Sequence, residues 1–169
     1  GVQVGWHGPN PATAGGGFYI NSISSVINMT DLLIYNNAVT YKGAGIALNE
    51  GFVSINNSQI RDNTVLNETY SIQGAGINFD NSNDASLEIN NCEIYNNSLI
   101  SNGTGYGGGI YSGNNTIINN SIIRDNISSG AGGGYYGSGS VLINSIIVNN
   151  FAGNYGSGFS GNIILLNSI

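Results

Sequence analysis

The side chains best suited to bind a ligand recur at one position of a repeated segment. Tyrosine and arginine alternate there from copy to copy, and an aspartate follows each arginine. The six residues, here called the tyrosine–arginine stripe, are Tyr35, Arg61, Asp62, Tyr95, Arg124 and Asp125. Aromatic rings, guanidinium groups and carboxylates can bind a carbohydrate or a neighbouring filament, or they can satisfy one another through cation–π contacts and ion pairs. The sequence leaves both interpretations open, with the self-satisfied exterior stripe as the simpler one.

Catalytic arrangements are harder to assemble from this sequence. Asp62 and Asp125 would lie two repeats apart, about 10 Å at the usual strand spacing, which is the far edge of the range for an inverting glycosidase. The nine acidic residues are scattered, so they predict no calcium cluster for a lyase and no other metal or cofactor site. Cys92 would need a basic partner, and the single histidine, His7, is far away in the sequence. We therefore predict no enzyme, with a polysaccharide lyase or hydrolase as the alternative.

The elements that position these residues come from an internal repeat. A glycine triplet followed by an apolar residue starts six times, at intervals of 24 to 33 residues. The six starts are Gly15, Gly43, Gly74, Gly107, Gly132 and Gly156. Between them recur an Ile-x-x-Asn segment, as in IYNN at Ile34, and a segment such as VSINNS at Val53. Alternating Ile and Val between Gly, Asn and Ser is typical of short strands and turns.

Three short strands per repeat cannot bury a core alone, but stacked repeats close one between them. The sequence thus predicts an all-β fold, a right-handed parallel β-helix of about five to six coils with three short strands each. It predicts a single domain over residues 1–169, with 1–14 as an atypical N-terminal segment, a cap or docking element, and 15–169 as the repeats. The variable segments 64–73 and 98–106 are predicted to project as loops from one corner.

Equivalent positions of stacked coils should form columns along the axis. The isoleucines that open the Ile-x-x-Asn segments predict a buried wall, and the asparagines that close them predict an inward amide ladder. Two residues before the isoleucines stand Ser58, Cys92, Ser121 and Ser145. Cys92 is therefore predicted to be a small packed residue.

Composition excludes several classes of function. Only 7% of the residues are charged, the formal net charge is −6, and the basic residues are Lys42, Arg61 and Arg124. So acidic a chain offers no cationic surface for nucleic acid. No apolar run reaches the roughly 18 residues that a membrane span requires. The low charge instead favours close stacking of uncharged polar side chains.

The alternation of GAGI or GGGI with IYNN or IRDN resembles the repeat of polymorphic outer-membrane proteins, which occurs in bacterial surface proteins and in adhesin-like proteins of methanogenic archaea. The resemblance covers roughly residues 15–169, with Ile where the family pattern has Phe. It implies a right-handed parallel β-helix displayed outside the cell, acting in adhesion or as a surface stalk.

Eight Asn-x-Ser/Thr sequons are compatible with a surface glycoprotein. The glycosylation candidates are Asn28, Asn56, Asn67, Asn102 and Asn114. Asn67 and Asn102, in the predicted loops, are expected to be occupied if the host glycosylates. Asn126, in the inward column, is expected to be bare.

The last repeat stops before an Ile-x-x-Asn segment, which leaves an open coil end that favours head-to-tail self-association. The predicted function is that of a non-catalytic extracellular structural protein, a segment of a surface fibre or adhesin stalk. The alternative binding function is that of a carbohydrate-binding module for a glycan or host-surface ligand.

Overall fold

The protein is an all-β parallel β-helix. The computed structural model describes residues 12–21, 26–67, 71–80 and 85–169. Every strand pairing among them is parallel, and each strand pairs with the equivalent strand of the coil before and after it. Four sheets run along the axis, and each coil contributes to all four in turn.

Sheet 1 follows the glycine triplets. It contains β2 (Phe18–Ile20), β6 (Ile46–Leu48), β11 (Ile77–Phe79), β16 (Ile110–Ser112), β20 (Tyr135–Gly137) and β24 (Phe159–Ser160). Sheet 2 contains β3 (Val26–Thr30), β7 (Phe52–Asn56), β12 (Ser86–Asn90), β17 (Thr116–Asn119), β21 (Ser140–Ile143) and β25 (Ile163–Leu166).

Sheet 3 carries the Ile-x-x-Asn segments. It contains β4 (Leu33–Tyr35), β8 (Gln59–Arg61), β13 (Glu93–Tyr95), β18 (Ile122–Arg124) and β22 (Ile146–Val148). Sheet 4 contains β1 (Ala12–Ala14), β5 (Ala38–Lys42), β9 (Thr64–Asn67), β10 (Ile72–Gln73), β14 (Ser98–Ser101), β15 (Gly105–Tyr106), β19 (Ile127–Ser128) and β23 (Phe151–Ala152).

Sheets 1 to 3 are the three predicted strands of each coil, and sheet 4 is a fourth that the sequence pattern does not reveal. In the first coil it is one strand, β5. In each of the next two coils it is split into two strands, β9 and β10 and then β14 and β15. Both β9 and β10 pair with β5, and β14 and β15 pair with β9 and β10 in turn. The variable segments 64–73 and 98–106 are therefore not wholly loops, because each begins and ends as a strand of this sheet.

The chain joins the β-helix before the first glycine triplet. β1 pairs in parallel with β5, so the end of the segment predicted to be atypical already belongs to sheet 4. Trp6, His7 and the rest of 1–11 lie outside the described residues.

The interior holds two apolar clusters. The larger lies between sheets 1, 2 and 3 and includes Ile34, Ile60, Ile94 and Ile123, as the isoleucine column predicts. Burying each of these side chains contributes roughly 1.5–3 kcal/mol. The smaller cluster lies under sheet 4 and includes Val39, Val65 and Leu99, which are register partners or near neighbours in that sheet.

Two turns of each coil place an Asn or Asp in the left-handed backbone region. The turn between sheets 3 and 4 has φ between 53° and 56° at Asn36, Asp62, Asn96, Asp125 and Asn149. Asn and Asp tolerate this conformation better than other side chains except glycine. The turn between sheets 2 and 3 has a second column of residues with positive φ, for example Asn57 and Asn91.

Candidate functional site

The asparagine column is a continuous internal ladder. Each side-chain Nδ2 donates to Oδ1 of the next asparagine along the axis, at 2.9–3.0 Å, and each backbone N–H donates to the same oxygen at 2.9–3.1 Å. The members are Asn37, Asn63, Asn97, Asn126 and Asn150. The first four are at most 5% exposed. The ladder therefore joins coil to coil and offers no row of ligands.

The third glycine of the first five triplets packs directly on this ladder. A Cβ on Gly109 would lie 2.6 Å from the Gly134 carbonyl oxygen and 2.9 Å from Asn126 Nδ2. Gly45, Gly76 and Gly134 have the same environment one or more coils away. The triplets thus bring the backbone close to the amides, which is a structural reason for their recurrence.

The tyrosine–arginine stripe lies in register on sheet 3 and is satisfied from within. Arg61 Cζ lies 4.6 Å from the centre of the Tyr35 ring, and Arg124 Cζ lies 4.2 Å from that of Tyr95. Arg61 pairs with Asp62, and the hydrogen bond between them raises the pKa of the guanidinium further above its ordinary value. This geometry supports the self-satisfied interpretation of the stripe.

Arg124 is held by two carboxylates. Its Nε donates to Glu93 Oε1 and its NH1 to Asp125 Oδ2, both at 2.7 Å. Glu93 is a member of the cluster that the sequence pattern did not single out. Asp62 and Asp125 also occupy positive-φ turn positions, where Asn stands in the other coils. Their occurrence in one column is accounted for by turn geometry and by pairing with arginine.

Cys92 lies in the serine column and is 4% exposed, as predicted for a small packed residue. Its Sγ contacts the carbonyl oxygens of Ile55 and Asn90 at 3.4 and 3.2 Å. Burial raises the pKa of the thiol, so the less nucleophilic protonated form is favoured at neutral pH. Ser121 Oγ accepts the Cys92 backbone N–H at 3.0 Å, and a serine hydroxyl at position 92 can accept the Ser58 backbone N–H in the same way.

The effect of replacing Cys92 on stability should therefore depend on the size of the new side chain and not on the loss of the thiol. We expect Cys92→Ser to change the free energy of unfolding by less than about 1 kcal/mol, because it restores the column's usual hydroxyl. Cys92→Leu should lower it by about 1–3 kcal/mol through overpacking. Urea unfolding followed by circular dichroism measures both; a larger loss for Ser than for Leu would contradict a packing role.

The sequons differ in accessibility. Asn102 and Asn114 are exposed, as is Asn28 on β3. Asn67 is the last residue of β9 and not part of a loop; it is half-buried, and its Nδ2 donates to the Thr40 carbonyl oxygen at 2.7 Å. Asn56 is half-buried, and its Oδ1 accepts Asn90 Nδ2 at 3.0 Å.

Asn126 is fully buried, and its Nδ2 donates to Ile94 O and Asn150 Oδ1. The nitrogen that would carry a sugar is thus already used in the ladder, which agrees with the expectation that Asn126 is bare.

A feature that the sequence did not single out lies where sheets 4 and 1 meet. The residue before each glycine triplet and the residue four positions after its first glycine both face outward, and they flank the corner from either side. Tyrosines occupy five of these twelve positions, and Tyr41 lies one residue further before its triplet, beside Tyr19. The six that lie along the corner, here called the tyrosine groove, are Tyr19, Tyr41, Tyr106, Tyr111, Tyr136 and Tyr155.

The two sides of the tyrosine groove touch each other. The ring centres of Tyr106, on sheet 4, and Tyr136, on sheet 1, lie 4.7 Å apart. Tyr111 stacks on Tyr136 with ring centres 5.7 Å apart and planes 7° from parallel. Burial, with the nearby carboxylate of Asp80, raises the pKa of the Tyr111 hydroxyl. The two sheets therefore form a concave aromatic surface.

Nearer the N-terminal end the groove becomes polar. Lys42, on sheet 4, forms an ion pair with Asp80, which follows sheet 1. Asn49 Nδ2 donates to Tyr19 Oη at 2.8 Å. A cavity of about 370 Å³ is lined by Lys42, Asp80 and Tyr111 together with neighbouring residues. A second, of about 390 Å³, lies beside Tyr19 and Tyr41.

The floor of the groove contains an unsatisfied amide. Ile77 and Phe79 point into the core, so strand alternation directs Asn78 outward between its register neighbours Ala47 and Tyr111. Asn78 is nevertheless fully buried, and neither its Nδ2 nor its Oδ1 has a hydrogen-bond partner in the part of the chain that the structure describes. Such a group costs about 1–3 kcal/mol of stability. Among the described residues outside the ladder, Ser129 Oγ is the other buried side-chain atom without a partner.

Within the described ranges, no three His, Cys, Asp or Glu side chains are grouped so that they would hold a metal ion. The same residues form no helix that is long and apolar enough to cross a membrane. Comparison of the chain with models of known protein families, with curated proteins and with solved structures gave no match.

Proposed function

We propose that this chain is a non-catalytic structural segment of an extracellular fibre or adhesin stalk on a cell surface. The observation that carries the proposal is the asparagine ladder, whose hydrogen bonds run in one axial direction through five coils. Interior bonds between coils resist separation along the axis, which is the load that a stalk bears. The resemblance of the repeats to surface adhesins supports the location outside the cell.

The lateral surface also suits a stalk. Amide pairs link neighbouring coils on the outside of sheet 2, where Asn90 donates to Asn56 and Asn119 donates to Asn90 at 3.0 and 2.8 Å. The stripe on sheet 3 pairs its charges internally. The polar groups of these two faces therefore make hydrogen bonds and ion pairs within the chain, which adds links between neighbouring coils.

We further propose that copies associate head to tail, which extends the ladder. Asn37 Oδ1 has no partner among the described residues, whereas Oδ1 of each later member of the ladder accepts from the coil before. On the last coil, Leu165 continues the core column of Leu142 and is 40% exposed. A second copy stacked on that coil would cover Leu165 and continue the sheets in parallel.

The experiment is sedimentation velocity over a range of protein concentrations, combined with electron microscopy. We expect rods that lengthen with concentration, with an axial repeat of about 4.8 Å in diffraction from aligned material. Leu165→Asp should abolish lengthening, because it places a carboxylate in the core column at the contact. Ile164→Asp, its outward neighbour, is the matched control and should leave lengthening intact.

Two results would count against the proposal. A monomer at all concentrations, or equal loss in both variants, rejects head-to-tail stacking. The surface location is tested separately, by labelling intact and permeabilised cells of the source organism with an antibody against the chain. Labelling only after permeabilisation rejects an extracellular stalk.

A further inference from the structure

We infer that the tyrosine groove is a binding site for a neutral glycan, lying along the axis between sheets 4 and 1. This goes beyond the structural role and does not depend on it, since a stalk or an isolated rod would carry the groove alike. The inference rests on the shape of the corner, the placement of the tyrosines and the unsatisfied amide of Asn78.

The corner is concave because the first glycine of each triplet folds the chain back on itself. Gly132 has φ +63°, and a Cβ there would lie 2.7 Å from Tyr136 Cβ, on the outer side of the corner. Gly15 and Gly156 show the same approach to Tyr19 and Ser160. The outer faces of sheets 4 and 1 are thus turned toward each other, as the contact between Tyr106 and Tyr136 confirms.

Aromatic rings in such a groove provide flat apolar faces that suit the C–H faces of sugar rings. Tyr19 and Tyr41 lie near its N-terminal end, and Tyr106, Tyr111, Tyr136 and Tyr155 lie toward the other end. Neighbouring coils are about 4.8 Å apart, close to the length of one sugar residue in an extended polysaccharide. The coils that carry Tyr106, Tyr111, Tyr136 and Tyr155 can therefore engage successive sugar residues.

The amide of Asn78 narrows the ligand to one that carries hydroxyl groups. Its Nδ2 needs an acceptor and its Oδ1 needs a donor, and a hydroxyl supplies both. Lys42 and Tyr111, beside the cavity, are half-buried, so displacement of their side chains, or one ordered water, connects the amide to a bound sugar. Hydrogen bonds between the ligand and this amide would remove the penalty of the unpaired group, and that free energy would add to the affinity.

Other ligands fit less well. An anionic polymer meets a chain of net charge −6, and Lys42, the cation that lines the groove among the described residues, is paired with Asp80. A proline-rich peptide would use the aromatic faces, as in other aromatic-lined grooves, but its proline residues have no N–H to donate to Asn78 Oδ1. A neutral glycan offers C–H faces to the tyrosine rings and hydroxyl groups that can both donate to and accept from Asn78.

The experiment measures binding of the hexasaccharides of cellulose, chitin and β-mannan to the purified chain by calorimetry and NMR. We expect at least one to bind and to shift the tyrosine ring signals of the groove. The double variant Tyr111→Ala/Tyr136→Ala should lower the affinity at least tenfold. The matched control is Tyr35→Ala/Tyr95→Ala on sheet 3, which should leave the affinity unchanged.

Asn78→Leu separates binding from folding. Leucine removes the two unsatisfied polar atoms at similar volume, so the urea midpoint should stay constant or rise, whereas the affinity should fall at least tenfold. The inference is overturned if none of the three oligosaccharides binds at millimolar concentration or if a proline-rich peptide binds the groove instead. Equal loss of affinity in the sheet 3 control would also overturn it.

Discussion

Asn97→Ala is expected to lower the free energy of unfolding by on the order of 3 kcal/mol, and Tm by roughly 6–12 °C. Asn97 Oδ1 accepts both the backbone N–H and Nδ2 of Asn63, and its own Nδ2 donates to Asn126 and to Ile60 O. Alanine leaves two buried donors of Asn63 without that acceptor and opens a cavity at a position of 0% exposure. Urea unfolding and thermal scans measure the loss.

The control for this variant is Asn90→Ala. Asn90 also belongs to a row of hydrogen-bonded amides, because it donates to Asn56 and accepts from Asn119. It differs from Asn97 in being half-buried on the outside of sheet 2. Water can replace its partners there, so we expect a loss below about 1 kcal/mol. Losses of similar size at positions 97 and 90 would show that the interior ladder is not a special source of stability.

Gly109→Ala is the second change with a large expected effect. The added methyl group would lie 2.6 Å from the Gly134 carbonyl oxygen and 2.9 Å from Asn126 Nδ2. Neither atom can move away easily. The carbonyl oxygen belongs to the backbone, and Asn126 Nδ2 is fixed by hydrogen bonds to Ile94 O and Asn150 Oδ1. We expect a loss of about 3 kcal/mol, the upper part of the range for overpacked interiors, measured as the shift of the urea midpoint.

Gly158→Ala provides the matched control in the same column. A Cβ on Gly158 meets only Ile147 Cγ2, at 3.5 Å, an ordinary van der Waals contact. The same substitution should therefore be neutral or slightly stabilising, because alanine restricts the unfolded chain. A strong loss at Gly158 would mean that the glycines are required for their backbone conformation and not for the close approach of the ladder.

The two candidate surfaces illustrate how pattern and geometry differ. The stripe is visible in the sequence because its residues share one position of a recurring segment, yet the structure pairs Arg61 with Asp62 and Arg124 with Glu93 and Asp125. The tyrosine groove draws its residues from two positions on either side of the glycine triplets. Only the fold of the corner brings Tyr106 against Tyr136.

A sequence signal for the groove does exist. Tyr106 directly precedes the triplet at Gly107, Tyr111 follows its first glycine by four positions, and Tyr155 and Tyr136 occupy the equivalent positions elsewhere. Reading the residues on both sides of the triplets as one surface requires knowing that the triplet folds back sharply. The unsatisfied amide of Asn78 has no sequence signature, because burial depends on what neighbouring coils place above it.

The sequence by itself determined the parallel β-helix, the buried isoleucine column, the asparagine ladder and the packed place of Cys92. These features repeat in register, so each position is constrained by its equivalents one coil away. The tertiary structure decided what the repeat does not encode: the fourth sheet, the strand position of Asn67, the internal pairing of the stripe and the tyrosine groove. These depend on contacts between different faces of the coil, and such contacts are set by how sharply the chain turns at each corner.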